Sequence, residues 1–109
     1  MTQQAWITQT CGPDVFEIRK SADPSPKPNE VLIDVEAIGI NFADVLMRQG
    51  LYAAAPKLPA VPGYEVAGTV ADVGADVQGF EAGDAVLAMT NFGGYASKVC
   101  AKASLPHFV

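Results

Sequence analysis

The stretch Ile38-Gly-Ile-Asn-Phe-Ala-Asp-Val-Leu-Met-Arg-Gln-Gly-Leu-Tyr52 decides how the chain is read. It has the pattern of the end of a buried strand, a sharp turn into one short helix, and an exposed loop. Phe42, Val45 and Leu46 fall at helical spacing and predict the apolar face of that helix. Asn41 stands just before them as an N-cap. Asp44, three residues on, is a capping-box partner and a favourable charge in the first turn. Arg48 follows Asp44 by one turn, so the two are spaced to pair. Gly50 ends the helix. An element this short does not hold itself together in water and needs strands to pack on. Such a junction projects Asn41, Arg48 and Tyr52 from an anchored base.

On both sides the pattern is β. Val31 to Ala37 alternates, with Val31, Ile33, Val35 and Ala37 on one face and Asp34 and Glu36 on the other, as in a half-buried strand. Upstream, Ala5 to Thr10 predicts a first strand, Gly12-Pro13-Asp14 a turn, and Val15 to Arg19 the return of a hairpin. Pro24, Pro26 and Pro28 exclude a helix or a central strand and predict an extended surface connection. Downstream, Ala53 to Pro62 carries three prolines and reads as a constrained loop. Gly63-Tyr64-Glu65 opens a strand, Val66 to Val73, in which Gly68 signals a bulge or the close approach of another backbone. Gly74 and Gly79 bracket a surface turn, and Ala85 to Met89 is a strand. Asn91-Phe-Gly-Gly94 is a turn, and Tyr95 to Ala101 is a last strand. Ser104 to Val109 has the composition of a further connection. Many short strands, frequent Gly and Pro turns and one helix predict a mainly β domain, a small barrel or sandwich.

Composition narrows the function classes. A length of 109 residues fits one domain, and 50% hydrophobic with 17% charged residues is the make-up of a folded chain. The net charge of −5, from 7 basic and 12 acidic residues, disfavours nucleic acid and anionic membrane as partners. Cys11 and Cys100 lie far apart with no Cys-x-x-Cys, which predicts free thiols in a reducing compartment. Met-Thr-Gln-Gln-Ala-Trp6 lacks the pattern of a signal peptide, and no run approaches the ~20 apolar residues of a spanning helix. A cytoplasmic location is therefore expected. No Gly-x-Gly-x-x-Gly follows a strand, and no phosphate loop, Gly-x-Ser-x-Gly elbow or His-Glu-x-x-His occurs. His107 is the single histidine, and one His with two scattered Cys does not make a zinc site. Spacing alone thus supports a β domain and is silent on its chemistry.

Three passages add more. They are Ala37 to Tyr52, Pro59-Ala-Val-Pro-Gly-Tyr-Glu-Val-Ala-Gly-Thr-Val-Ala-Asp-Val-Gly74, and Gly79-Phe-Glu-Ala-Gly-Asp-Ala-Val86 followed by Phe92-Gly-Gly-Tyr-Ala96. In this order they resemble the N-terminal, GroES-like domain of the medium-chain dehydrogenase/reductase superfamily. The branch they resemble is the zinc-independent, NADPH-dependent quinone oxidoreductases of the zeta-crystallin type. The resemblance implies a GroES-like, partly open β-barrel over residues 1–109 with one short α-helix near residues 42–49. It also implies a Rossmann nucleotide-binding domain beyond this segment, a homodimer for the full-length protein, and no activity for these 109 residues alone.

Zinc-using members of the superfamily carry Cys where Asn41 stands and His where Tyr64 stands, together with a cysteine-rich lobe soon after the Gly-x-Asp-x-Val turn. Here an amide and a phenol occupy the first two positions, and Val86 to Val99 contains no Cys. The resemblance therefore implies a metal-free site, with Tyr52 and Asn41 as catalytic residues and Asn41, Arg48 and Tyr64 near the NADPH cofactor. The substrate it implies is a small quinone or activated enone. Each residue also has a plainer reading: helix cap for Asn41, surface ion pair for Arg48, loop aromatic for Tyr52, core packing for Tyr64. Phe92 and Tyr95 read as core or interface, Cys11 and Cys100 as inert, and Gly63, Gly68, Gly83 and Gly93 as backbone requirements. The alternative function is a non-enzymatic GroES-like binding or interaction module, or a scaffold that kept the fold without turnover.

Overall fold

A computed structural model describes residues 1–9, 16–53, 55–90 and 92–108. The elements in order are β1 (Thr2–Ile7), β2 (Phe16–Ser21), β3 (Glu30–Gly39), α1 (Phe42–Gln49), β4 (Glu65–Val73), β5 (Ala85–Met89), β6 (Lys98–Lys102) and β7 (His107–Phe108). β1 and β2 form an antiparallel pair, and the other five form a sheet in the order β6-β3-β4-β5-β7. All pairings are antiparallel. Two sheets that do not close on each other, with one short helix among the described residues, make the mainly β, partly open GroES-like architecture.

The central sheet carries the main core. Val31, Ile33, Val66, Val70, Val86, Ala88 and Ala101 bury their side chains together. β3 is where simple alternation fails. Leu32 is buried as well as its neighbours, and Ala37, expected on the inner face, is exposed. The ladder to β4 shifts twice. Between Val35 and Ala37 it skips Glu36, which puts Ala37 on the opposite face; between Leu32 and Ile33 it skips Ala71 of β4, so Val31 and Ile33 stay on one face. Gly68 on β4 shows the close approach expected of it: a Cβ there would collide with the Asp34 carbonyl of β3.

Other boundaries differ from the sequence expectation. β1 begins three residues earlier than predicted and ends at Ile7, because its ladder to β2 runs from Thr2↔Ser21 to Ile7↔Phe16. The predicted turn at Gly12-Pro13-Asp14 and Cys11 lie outside the described residues. The last long strand starts at Lys98 and not at Tyr95, since the backbone of residues 95–97 bonds across to β1 instead. Ala5 N–H donates to the Tyr95 carbonyl and Ser97 N–H to that of Gln3, each at 2.9 Å. His107 and Phe108, read as a connection, form a short strand on β5.

α1 forms where predicted, with Asn41 at its N-cap in extended backbone (φ −110°, ψ 157°). Gly50 stops it in the left-handed region at φ 78°, and the N–H groups of Gly50 and Leu51 return to the Met47 and Leu46 carbonyls. The predicted apolar face is wrong by a rotation. Phe42 is 74% exposed, while Asp44 and Met47 are the buried residues. Met47 packs with Ile7 and Ala60 in a second, smaller core, flanked by Phe16, Tyr52, Leu58 and Phe92. Below α1 lies the β1 edge and the loop around Ala60, which bond through Ile7 N–H to the Ala60 carbonyl at 2.8 Å and the return bond at 3.0 Å. That surface receives a narrow ridge, and Met47 fills it.

Candidate active site

The site forms where the loop after α1 meets the two segments flanking the main sheet. Residues 61–64 run into β4 clamped against Thr90 and residues 93–95. Thr90 N–H donates to the Tyr64 carbonyl at 2.6 Å, Gly93 N–H to that of Val61 at 2.9 Å, and Tyr95 N–H to that of Pro62 at 2.9 Å. The buried Thr90 hydroxyl adds a bond to the Gly63 carbonyl at 2.8 Å. Tyr64 and Tyr95 are thus set on one rigid frame, although they are far apart in sequence. Tyr52 arrives from the other side, two residues past the Gly50 stop.

Tyr64 and Tyr52 meet. The Tyr64 hydroxyl donates to the Tyr52 hydroxyl oxygen at 2.9 Å, and their rings lie edge to face with centroids 6.4 Å apart. Phe92 packs on the other side of Tyr64, ring centroids 5.0 Å apart. Burial pushes the Tyr64 phenol up to about 12, and the Tyr52 hydrogen bond and the nearby Asp44 charge act in the same direction.

Asn41, the N-cap of α1, and Arg48, in its last turn, lie beside Asp44. Asn41 is half-buried, and its backbone N–H donates to Asp44 Oδ2 at 3.0 Å. Arg48 lines a shallow groove of about 170 Å³ with Phe16, Ile40, Asp44, Val45 and Tyr95. Asp44, read from sequence as a surface charge one turn from Arg48, turns inward. Its Oδ2 also accepts the Tyr95 hydroxyl at 3.0 Å. Burial, then this bond and the Asp44 charge, hold the Tyr95 phenol well above its ordinary value. Tyr95, expected in core or interface, stacks on Phe16 at 6.1 Å and belongs to the site as well. Of the sequence candidates, Tyr52 and Tyr64 are in direct contact, and Asn41 and Arg48 reach the cluster through Asp44 and its groove. Asp44 and Tyr95 are the members that local pattern did not single out. Cys100 stays apart in a half-buried position, with burial and the Glu30 and Asp72 charges raising its thiol, as an inert cysteine would have it.

Chemically, the cluster offers three phenol hydroxyls, a buried carboxylate and one arginine over an apolar floor, with the Asn41 amide at the helix entry. Residues 27–107 match the alcohol dehydrogenase GroES-like domain. The synaptic vesicle membrane protein VAT-1 homolog-like of Mus musculus is 40% identical over 89 residues, which cover 82% of this chain and 21% of that protein. The quinone oxidoreductase of Sus scrofa is 44% identical over 87 residues, 78% of this chain and 26% of its own. The crystal structure of Escherichia coli quinone oxidoreductase complexed with NADPH superposes on the whole chain with a TM-score of 0.92 at 34% identity, over 33% of its length.

The chain belongs to the alcohol dehydrogenase GroES-like domain family, in the quinone oxidoreductase and VAT-1 branch of the medium-chain dehydrogenase/reductase superfamily. It spans 21% to 33% of the length of these relatives.

Proposed function

We propose that this chain is the substrate-side domain of an oxidoreductase that passes a hydride from NADPH to a small quinone or activated enone, without zinc. The observation that carries the reading is the 2.9 Å hydrogen bond from the Tyr64 hydroxyl to that of Tyr52. Reduction of a conjugated carbonyl builds negative charge on the substrate oxygen, and a donor must meet it there. The Tyr52 oxygen already accepts the Tyr64 proton, so the Tyr52 proton is directed to another acceptor. Tyr52 is then the donor to the substrate oxygen, and Tyr64 stabilises the charge that Tyr52 takes on. Asn41 adds a second neutral donor at the same site.

NADPH supplies the hydride, and this chain's task is to bind, orient and exclude water. The donor set fits the nicotinamide end of that cofactor, since an amide and a phenol hydrogen-bond a carboxamide without competing charge. Asn41, Arg48 and Tyr64 are the residues assigned to hold it, with Arg48 as the cation for its phosphates. The same donors fit zinc badly. Zinc takes thiolate, imidazole or carboxylate, and a phenol pushed up to about 12 stays protonated at neutral pH. The reading places residues 1–109 as one substrate domain of a cytoplasmic homodimer whose Rossmann domain follows.

Consumption of NADPH absorbance by the intact protein with p-benzoquinone tests this, before and after dialysis against a chelator. The expected result is NADPH oxidation at an unchanged rate after chelation. Loss of the rate on chelation with recovery on added zinc overturns the metal-free site. An intact protein that neither binds nor oxidises NADPH fits a GroES-like binding module instead.

A further inference from the structure

A carboxylate in the first turn of a helix ordinarily faces water, where the helix dipole favours it at little cost. Asp44 does not. It is 3% exposed, and while Oδ2 is shared by the Asn41 N–H and the Tyr95 hydroxyl, Oδ1 is buried with no hydrogen-bond partner among the described residues. Withdrawing a carboxylate from water and leaving one oxygen without a donor is costly, and capping alone does not require it. The Tyr95 hydroxyl bonds it directly and Arg48 shares its groove, while the Tyr64 hydroxyl, bonded to Tyr52, is reached by its charge. Phe16 and Phe92 wall the cluster against water.

We propose that Asp44 is a positioning residue whose buried carboxylate, 3.0 Å from the Tyr95 hydroxyl, holds Tyr95 as a permanent hydrogen-bond donor; with Tyr64 donating to Tyr52, the Tyr52 hydroxyl is the one of the three whose proton is directed outward. The physical basis is that a fixed negative charge in a poorly solvated place disfavours a second one beside it. Burial is the first cause that raises both phenols; Asp44 adds to Tyr95 through a direct hydrogen bond and its charge, and to Tyr64 last and by charge alone. Tyr64 points its proton at Tyr52. The outward role for Tyr52 rests on the oxidoreductase reading; the effect of Asp44 on Tyr95 does not.

The chain contains three tyrosines, and all three lie in this cluster. The tyrosinate absorbance of the chain on alkaline titration therefore reads the site alone. In Asp44→Asn the side chain keeps its shape and one acceptor oxygen, loses the charge, and carries an amide NH2 in place of the other oxygen. The expected result is that one of the three ionisations, that of Tyr95, moves to lower pH by about one unit, since a neighbouring charge commonly shifts a titration by 1–3 units. Tyr95→Phe in the D44N background removes the moved ionisation, and Tyr64→Phe leaves it in place. Superimposable curves for wild type and a folded D44N, checked by circular dichroism, overturn the proposal. Should D44N not fold, NMR of isotope-labelled tyrosine rings in the wild-type chain decides. Tyr95 is expected to ionise well above the ordinary value near 10, and ionisation at that value overturns the proposal. A titration that moves as expected in a protein without quinone reductase activity defeats the oxidoreductase reading and leaves the role of Asp44 intact.

Discussion

The sheet core and the tyrosine cluster are built on opposite plans. The core is aliphatic, carried by residues on paired strands, and Val31, Ile33 and Val86 are wholly buried in it. The cluster has a small floor of Ile7, Met47 and Ala60, and its walls come from loops held by single backbone bonds between distant residues. It encloses a carboxylate and three phenols where the core encloses methyl groups. The contrast teaches that folding free energy comes mainly from one region, and that the other uses the rigidity so obtained to hold polar groups where water would normally dissolve the arrangement.

If that division holds, substitutions in the two regions separate stability from chemistry. Ile33→Ala leaves a cavity at the sheet centre and is expected to lower unfolding stability by about 2–5 kcal/mol in urea, without moving the tyrosine titration of the molecules that remain folded. A loss below about 1 kcal/mol would mean that the core is less rigid than its burial implies. Tyr52→Phe does the reverse. In the intact protein it is expected to reduce kcat by ~10²-fold, the usual scale for a positioned proton donor. Stability of the same variant should change by no more than ~1.5 kcal/mol, the typical net worth of one hydrogen bond. Equal losses in both would erase the distinction between the regions.

The clamp that joins them is expected to be intermediate. Thr90→Val leaves the buried Gly63 carbonyl without its 2.8 Å donor and should cost about 1–3 kcal/mol in urea, with a broadened Tyr64 ring signal as the frame loosens. The smallest effect belongs to the exposed pair of Asp23 and Lys98, 3.2 Å apart. The Thr2 hydroxyl first, then Lys98, holds the Asp23 carboxyl below its ordinary value of 3.8. A carboxyl lowered in the folded state contributes stability that is present above that value and lost as pH falls below it. The small difference in Tm between wild type and Lys98→Met should therefore vanish in acid and in high salt. A difference that persists under both conditions would show that Lys98 acts through packing.

Much of this was readable in the chain itself. Ala85–Met89 is a strand with the boundaries expected, Gly50 stops the helix in the left-handed region, and Gly68 marks where Asp34 crosses. Tyr52 and Tyr64 were singled out through family resemblance, and they are in contact. The errors have common physical causes. Helical periodicity reports that an apolar face exists; which residues turn inward depends on the surface beneath, and here Met47 and Asp44 win over Phe42. Alternation along β3 fails where Glu36 is left out of the pairing with β4; nothing on β3 itself announces it, and the signal is Gly68 on the facing strand. The Tyr95–Asp44 bond joins residues 51 apart, and nothing in either neighbourhood points to the other. An acidic residue at the third helical position looks like a solvated cap until the tertiary structure buries it.

The eight residues of α1, set between the Asn41 cap and the Gly50 stop, work as a ruler. One residue added or removed inside it turns all that follows by about 100° and shifts it by about 1.5 Å, which carries Tyr52 away from Tyr64. Length variation in this family of sequences is therefore best absorbed elsewhere, in places such as the proline-spaced connection from Pro24 to Pro28, where no side chain has to be delivered at a set angle.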